Sequence, residues 1–593
     1  CHHTFIKNLM DKFLNVFKSL SKINFKKTVL SPFLYRIFIV LLPLALLGGT
    51  LILLFEPLIK NSKDLGKTTT SGILNEFPVA PTPEVVYWGS SDFSYISPEL
   101  FLLTMTLLLF TYSFATTSSR SLYNYKTVDQ FIFLSLLILF FTFLLSYKVL
   151  SFENRILFKG LVVIETSVMM MKLLCLGASA VCLLISKDYL DKSRLGCFEF
   201  FILYLLAVFG IIFFISSCDF FHMFLSLEIQ GICFFALVAM NRGTAYGAES
   251  SIKYFILGSF SSAILLYGIS LIYSSLGSTH FMSICFALKS MSFTACFSSA
   301  NTLGNVLLVP QVKLIMGFVF VLVALLFKIT AAPFHQWAPD IYEGAPFATV
   351  VFISIVPKIA VFFILSKFTA VYFTELRFLW EYIFLSSGAL SIILGTLLST
   401  RTYKTKRFIA YSSITHMGYI LIGLSVGTID SLKFSILYVV VYAFSLVNFW
   451  SILSIMENNY MQKMDSLSDF RGIFKANKLL GCNLVCVLFS LAGLPPFSGF
   501  YAKFFLLTSM AGSSLYIITL LVVVSSLFSI YYYVKVIKAV IFDEGHKHPS
   551  LKTPISLPLG LITSCSFFAL LFFYYIPVVH TTAEYFILCY FIS

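Results

Sequence analysis

An all-α polytopic membrane protein is the fold class this sequence predicts, and three observations predict it. Hydrophobic residues make up 59% of the 593 and charged ones only 11%, where a soluble domain carries about 25%. Apolar stretches recur at about the 20 residues that a helix needs to cross a hydrocarbon layer about 30 Å thick. Those stretches are continuous, whereas barrel strands alternate over short segments. With 67 Phe and a mean hydropathy of +0.92, most of the chain has lipid for its solvent.

The elements follow in chain order. Residues 4–31 alternate Phe, Leu and Ile with Lys at helical spacing, which fits an interfacial helix or a targeting segment alike. Cys1 stands where Met is usual, so the natural start is expected to differ from residue 1. A first span is expected at 33–59, then a polar Pro/Thr/Ser-rich loop to about residue 97. Further spans fall at 98–117, 129–150, 161–186, 197–217, 219–240 and 250–276. After a Ser-rich loop come 313–337, 346–373, 380–400, 408–426 and 432–456, and finally 478–510, 514–541 and 555–577. The total is 15 spans, with 1–94 as an N-terminal arm, span and loop, 95–577 as the main membrane domain and 578–593 as a tail. The longest polar loops, about 40 residues, leave no room for a soluble catalytic domain.

Two spans are expected to break inside the membrane. The one at 313–337 holds Lys328 and then Pro333; the one at 478–510 holds Gly493-Leu-Pro-Pro-Phe-Ser-Gly499 and then Lys503. Proline removes a backbone donor and clashes with the preceding turn, and broken backbone at that depth survives only inside protein or beside a wet cavity. The breaks lie five spans apart. Matched interruptions in two halves point to a transporter with inverted repeats and a site near the midplane.

Charges inside apolar runs supply the candidate site. Each costs about 2.5–3.5 kcal/mol to insert, and five stand well inside: Glu228, Lys253, Lys328, Lys358 and Lys503. Lysines near span ends, such as Lys148 and Lys538, fit snorkelling to the headgroups; the five have apolar turns on both sides or adjoin a break. Lys172, with Glu165 seven residues earlier, fits either reading. Glu228 and Lys253, on consecutive spans, can form a Glu–Lys pair that tunes the proton affinity of neighbouring lysines. His335, just past the first break, and His416, flanked by Tyr411, Ser412, Ser413 and Thr415, can bridge proton steps, although a lone membrane His is often a packing residue.

Other classes are excluded or disfavoured. The net charge of +14 comes from the N-terminal arm and short loops such as Arg401–Arg407, on one side of the expected topology, which is a positive-inside pattern and a lipid contact rather than nucleic-acid binding. Twelve scattered cysteines contain no C-x-x-C pair, against an iron–sulfur or zinc site. Gly66-Lys67-Thr68 lacks the glycine of a phosphate loop, since position 61 is Asn. No GxGxxG opens a helix after a strand, and no GxSxG or HExxH occurs, so redox chemistry in a larger assembly would be carried by other chains.

The run from Phe327 to Lys358, with PFHQWAPDIYEGAP at 333–346, resembles the signature of the subunit 2 family of NADH–quinone oxidoreductase, respiratory complex I. ISPEL at 96–100, SLEIQGICFFALVAM at 226–240, SIKYFILGSFSSAILLYGISLIY at 251–273, KRFIAYSSITHMGYILIG at 406–423 and LAGLPPFSGFYAKFF at 491–505 agree with it, so the resemblance covers about 95–577. It implies an antiporter-like core of 14 helices with two inverted five-helix repeats and two discontinuous helices, plus the extra N-terminal span. It also implies one proton-pumping unit. Residue by residue, Glu228 matches the family's fifth-helix glutamate and Lys253 its sixth-helix lysine; Lys328, Lys358 and Lys503 match the lysines of the first broken helix, the eighth helix and the second broken helix. NADH, FMN, iron–sulfur clusters and ubiquinone are expected on other subunits, with no cofactor on this chain. The expected partners are membrane-arm subunits, a subunit 4-like neighbour and small subunits beside it, and phospholipids. Pro357 before Lys358 and the Phe-rich composition resemble the mitochondrial form more than the chloroplast-type complex, so the inner mitochondrial membrane is expected. A stand-alone cation/proton antiporter and a structural spacer are the rivals.

Overall fold

A computed structural model describes residues 90–117, 125–150, 154–193, 197–241, 243–290, 304–460 and 464–543, with Gly560 and Thr563. The expected span at 33–59, the basic arm before it, and nearly all of the span at 555–577 lie outside the described residues.

Among these residues the principal helices are α1 Ser97–Thr117, α2 Tyr125–Val149, α3 Thr166–Ser193, α4 Phe198–Ile215, α5 Phe220–Ala239 and α6 Ala245–Leu276. They continue as α7 Gly304–Ile329, α8 Trp337–Gly344, α9 Phe347–Lys367, α10 Arg377–Arg401, α11 Thr405–Val426 and α12 Ile429–Tyr460. The last are α13 Lys478–Ala492, α14 Ser498–Gly512 and α15 Tyr516–Ile541. Twelve helices among the described residues are long and apolar enough to cross a membrane. Both expected breaks are present, the first between α7 and α8 and the second between α13 and α14.

One expected span starts late. Residues 155–164 do not join α3; Arg155–Leu157 (β1) and Val162–Ile164 (β2) pair antiparallel, with Ile156 opposite Val163. A run of β-branched residues packs well on a pleated surface, and hydropathy alone does not separate it from a helix end. Elsewhere capping chemistry fixes the ends. Asp219 accepts from Phe221 N at 3.1 Å before α5, and Thr244 accepts from Gly247 N at 3.2 Å before α6, satisfying donors that a helix start leaves open.

Burial sorts the helices into an inner and an outer set. The apolar window of α9 is wholly buried, whereas only 28% of that of α15 is. α3, α11 and α12 join α9 in the interior, and α1, α6 and α15 turn large side chains such as Leu107, Phe260 and Phe528 outward. Two ion pairs lock this interior. Lys172 meets Glu99 of α1 at 2.5 Å, both side chains almost fully buried, and Lys367 at the end of α9 meets Glu165 at 2.7 Å. Lys172 thus binds a carboxylate other than its sequence neighbour Glu165.

Glycines set two of the closest helix contacts. A Cβ on Gly317 of α7 would stand 2.7 Å from the Gly268 carbonyl oxygen of α6, and one on Gly418 of α11 would stand 2.9 Å from the Gly388 carbonyl oxygen of α10. Small residues let membrane helices approach backbone to backbone. Gly317→Leu is expected to force α6 and α7 apart and to destabilise the protein by about 1–3 kcal/mol, read as a lower unfolding temperature in detergent. Gly243→Ala, where nothing lies within 4 Å, is expected to leave that temperature unchanged.

Candidate functional site

The site begins at the two breaks. α7 ends at Ile329, and Thr330 takes a positive φ of 70°. The chain resumes as a helix only at Trp337, whose indole N–H donates at 3.0 Å to the Phe327 carbonyl, which also accepts from the Thr330 N–H at 3.1 Å. At the second break Gly493 takes a φ of 80° and closes α13. There Lys503 of α14 reaches back, its amine donating to the carbonyls of Ala492 at 2.8 Å and Leu491 at 3.2 Å. A cation on the last carbonyls of a helix also meets the negative end of its dipole. A Cβ on Gly493 would stand 3.1 Å from the Lys503 amine, so the glycine makes room for the contact.

Lys328 occupies the last turn of α7. Its amine lies 3.9 Å from where a Cβ on Gly231 of α5 would stand, and Glu228, three residues before that glycine, is the charged side chain that acts on it. The expected pairing of Glu228 with Lys253 is not what the structure forms. Lys253 holds Asp340 of α8 at 2.8 Å and Glu249 at 2.6 Å, with its side chain 41% exposed. Lys253 therefore belongs to a half-exposed cluster at one end of the bundle. In it Arg407 also reaches Asp340, at 3.1 Å, and Glu343 meets both Lys404 and Arg407. His335 lies buried within the first break.

The remaining three predicted residues come together on α11. Lys358 of α9, buried and following the in-helix Pro357, donates to the Ser413 hydroxyl at 2.9 Å and lies 5.8 Å from the Tyr342 ring centroid. One turn along α11, His416 sits between two phenols, its Nδ1 2.8 Å from Tyr438 and its Nε2 3.1 Å from Tyr533. Another turn on, the Tyr419 ring lies 5.2 Å from the Lys503 amine, and its hydroxyl lies 3.3 Å from Ser525. Ser413, His416 and Tyr419 thus form a ladder of polar groups, with a lysine at each end.

The tyrosines are what residue-level reading missed. Tyr342, Tyr442 and Tyr532 carry buried hydroxyls that no partner satisfies in hydrogen-bonding geometry, and those of Tyr342 and Tyr442 face Ser413. Buried hydroxyls of this kind are where internal water binds. A signal was available in the consecutive Tyr531-Tyr532-Tyr533 of an otherwise apolar span, since a phenol in hydrocarbon needs a partner.

Lysine-bearing broken helices around a buried polar line constitute an antiporter-like membrane fold. The profile of the family described as NADH:quinone oxidoreductase/Mrp antiporter matches residues 217–529. NADH-ubiquinone oxidoreductase chain 2 of Marchantia polymorpha is 33% identical over 82% of this chain and 96% of that protein. NADH-quinone oxidoreductase subunit N of Pelagibacter ubique is 34% identical over 81% of this chain and 96% of that protein. The chain belongs to this chain 2/subunit N family of NADH–quinone oxidoreductases. Among solved structures, a chain of respiratory complex I from Thermus thermophilus superposes with a TM-score of 0.63 at 24% identity, covering 81% of this chain and 97% of that one. A chain of the Mrp complex from Dietzia does so with a TM-score of 0.66 at 16% identity, covering 83% and 97%. These two likenesses establish the fold.

His416→Phe is expected to leave the Tyr438 and Tyr533 hydroxyls without their shared partner, at about 1–3 kcal/mol for each buried group. Adding Tyr533→Phe is expected to recover part of that loss, because removing both partners costs less than removing one. A thermal unfolding series on the single and double variants reads the difference.

Proposed function

We propose that this chain is a proton-translocating membrane-arm subunit of respiratory complex I, coupling NADH:ubiquinone electron transfer to proton movement. The carrying observation is the ladder on α11, along which buried Lys358, His416 and Lys503 meet Ser413 and tyrosines rather than carboxylates. Unpaired buried amines are costly inside a membrane, and a lysine kept there can take up and release a proton. An imidazole held between two hydroxyls accepts at one nitrogen while the other donates, so His416 hands on one proton, exchanges its tautomer, and carries another once its hydrogen bonds have turned over.

The sequence of events we infer begins at Glu228. Its charge sets the proton affinity of Lys328, and His335 in the break connects that lysine towards Lys358. From Lys358 the proton follows Ser413, His416 and the tyrosines to Lys503. Charges so placed act strongly on one another because the low-dielectric interior screens them weakly. The redox energy arrives from other subunits, which on this reading hold NADH, FMN, the iron–sulfur clusters and ubiquinone. A subunit 4-like neighbour, small membrane-arm subunits and phospholipids surround the chain. We assign it to the mitochondrial inner membrane, on its Phe-rich composition and on Pro357 before Lys358.

The names of the relatives quoted above support the complex I reading over a free-standing antiporter. The likeness to the Mrp chain is one of fold. On a mild-detergent native gel of source membranes, the chain is expected to migrate with a very large NADH-oxidising band; migration apart from that activity would favour the antiporter. Lys328→Met and Lys358→Met are each expected to lower the number of protons moved per NADH oxidised, or to stop oxidation. Wild-type pumping in both would remove the role given to these amines.

A further inference from the structure

The short helix α8 touches the surroundings of three of the amines. At its start Trp337 stacks between Phe327, next to Lys328, and Tyr254, next to Lys253, with ring centroids 5.4 and 5.3 Å away. In its middle Asp340 divides its two oxygens, Oδ2 to Lys253 at 2.8 Å and Oδ1 to Arg407 of α11 at 3.1 Å. Two residues later the buried Tyr342 lies over Lys358. Glu343 then meets Lys404 and Arg407, and Lys406 donates to the Ala345 carbonyl at 3.3 Å. Eight residues thus connect a half-exposed ion-pair cluster to the central lysine.

We propose that Asp340 is a positioning residue that competes with Glu228 for Lys253, and that α8 carries the outcome to Lys358 through Tyr342. The inference rests on the pumping role proposed above. In the arrangement seen here Lys253 is held by Asp340 and Glu249, and Glu228 is left to act on Lys328. When Lys253 turns instead to Glu228, Asp340 keeps Arg407 alone and is drawn towards α11. Irregular backbone bounds the helix on one side at Thr330–Gln336 and extended Ala345 on the other, while Gly344 packs it closely on the Tyr246 carbonyl of α6, so the shift we infer is a small one about that contact. Tyr342 moves with the helix. Its hydroxyl has no partner in hydrogen-bonding geometry among the described residues and faces Ser413, the acceptor of the Lys358 hydrogen bond. A hydroxyl oxygen accepts from two donors, so a tyrosine that donates to Ser413 shares that oxygen with the Lys358 amine and weakens its hold. The grip on Lys358 thus changes when Lys253 changes partner. Discrete alternative packings of this kind are how small shifts at one site are passed on.

The test uses the assembled complex in sealed membrane vesicles, with protons moved per NADH oxidised as the readout. The variants are Lys358→Met, Lys253→Met, Asp340→Asn, Asp340→Glu and the double variant Lys253→Met/Asp340→Asn. Asp340→Asn is expected to lower the ratio as far as Lys253→Met does, and the double variant to lower it no further, because both remove one switch. Asp340→Glu is expected to restore most of the ratio, which a purely structural loss would not predict. If Asp340→Asn fails to assemble, Asp340→Asn/Arg407→Gln removes the pair without leaving a lone charge and is expected to give the same low ratio. A wild-type ratio in either Asp340→Asn variant, with Lys253→Met and Lys358→Met still impaired, overturns the role of Asp340 and leaves the pumping role standing. A wild-type ratio in Lys253→Met and Lys358→Met overturns the pumping role, and this inference with it.

Discussion

Hydrocarbon gives no hydrogen bonds, and that constraint shapes every unusual feature of this chain. A helix broken at membrane depth exposes carbonyls that must find donors within the protein. At the second break the donor is the Lys503 amine on Leu491 and Ala492; at the first, the Thr330 and Ala331 N–H groups turn back to Phe327 and Leu326, and the Trp337 indole adds a second donor on Phe327. The same act that satisfies the backbone of α13 therefore fixes a cation in the interior. Structure and chemistry are inseparable there, because the amine that finishes the helix is also the end of the polar line along α11.

Carboxylates are distributed by the same logic. The two most buried ion pairs among the described residues, Glu99–Lys172 and Glu165–Lys367, join α1 to α3 and the start of α3 to the end of α9. Buried pairs of this kind are costly to break, because removing one partner strands a charge. They account for two of the charges that hydropathy marks as out of place, without assigning them transport. Lys358 and Lys503 differ in having only neutral oxygens and aromatic faces around them. That contrast sets Lys172 and Lys367, which fasten helices through carboxylates, apart from Lys358 and Lys503.

Much of this was legible in the sequence, and the illegible part has a common cause. Lysines inside apolar runs and prolines inside spans announce themselves because each violates a steep cost, so Lys328, Lys358, Lys503 and both breaks were found from single positions. Partner choice was not legible. Lys253 meets Asp340 across 87 residues and Lys172 meets Glu99 across 73, and only the folded bundle brings those pairs together. Pairing Glu228 with Lys253 followed adjacency of spans, whereas ion pairs answer to depth within the bundle. The tyrosines were hidden for another reason. Hydropathy counts Tyr342, Tyr442 and Tyr532 as core, and their hydroxyls matter only once they converge. The strand β2 falls inside the expected span at 161–186 because both are apolar.

The ladder on α11 has a property that follows from counting. Its rungs are three residues apart, and an α-helix turns about 300° in three residues, so each rung stands about 60° behind the last. From Ser413 to Tyr419 the polar edge winds through about 120° while climbing about 9 Å. One helix thus meets Lys358 of α9 on one flank and Lys503 of α14 on another. A single-residue insertion or deletion between Ser413 and Tyr419 would swing the upper rung by about 100° and aim it at a different neighbour. Side chains on this helix can change without moving the rungs, whereas a change in its length between those two positions cannot.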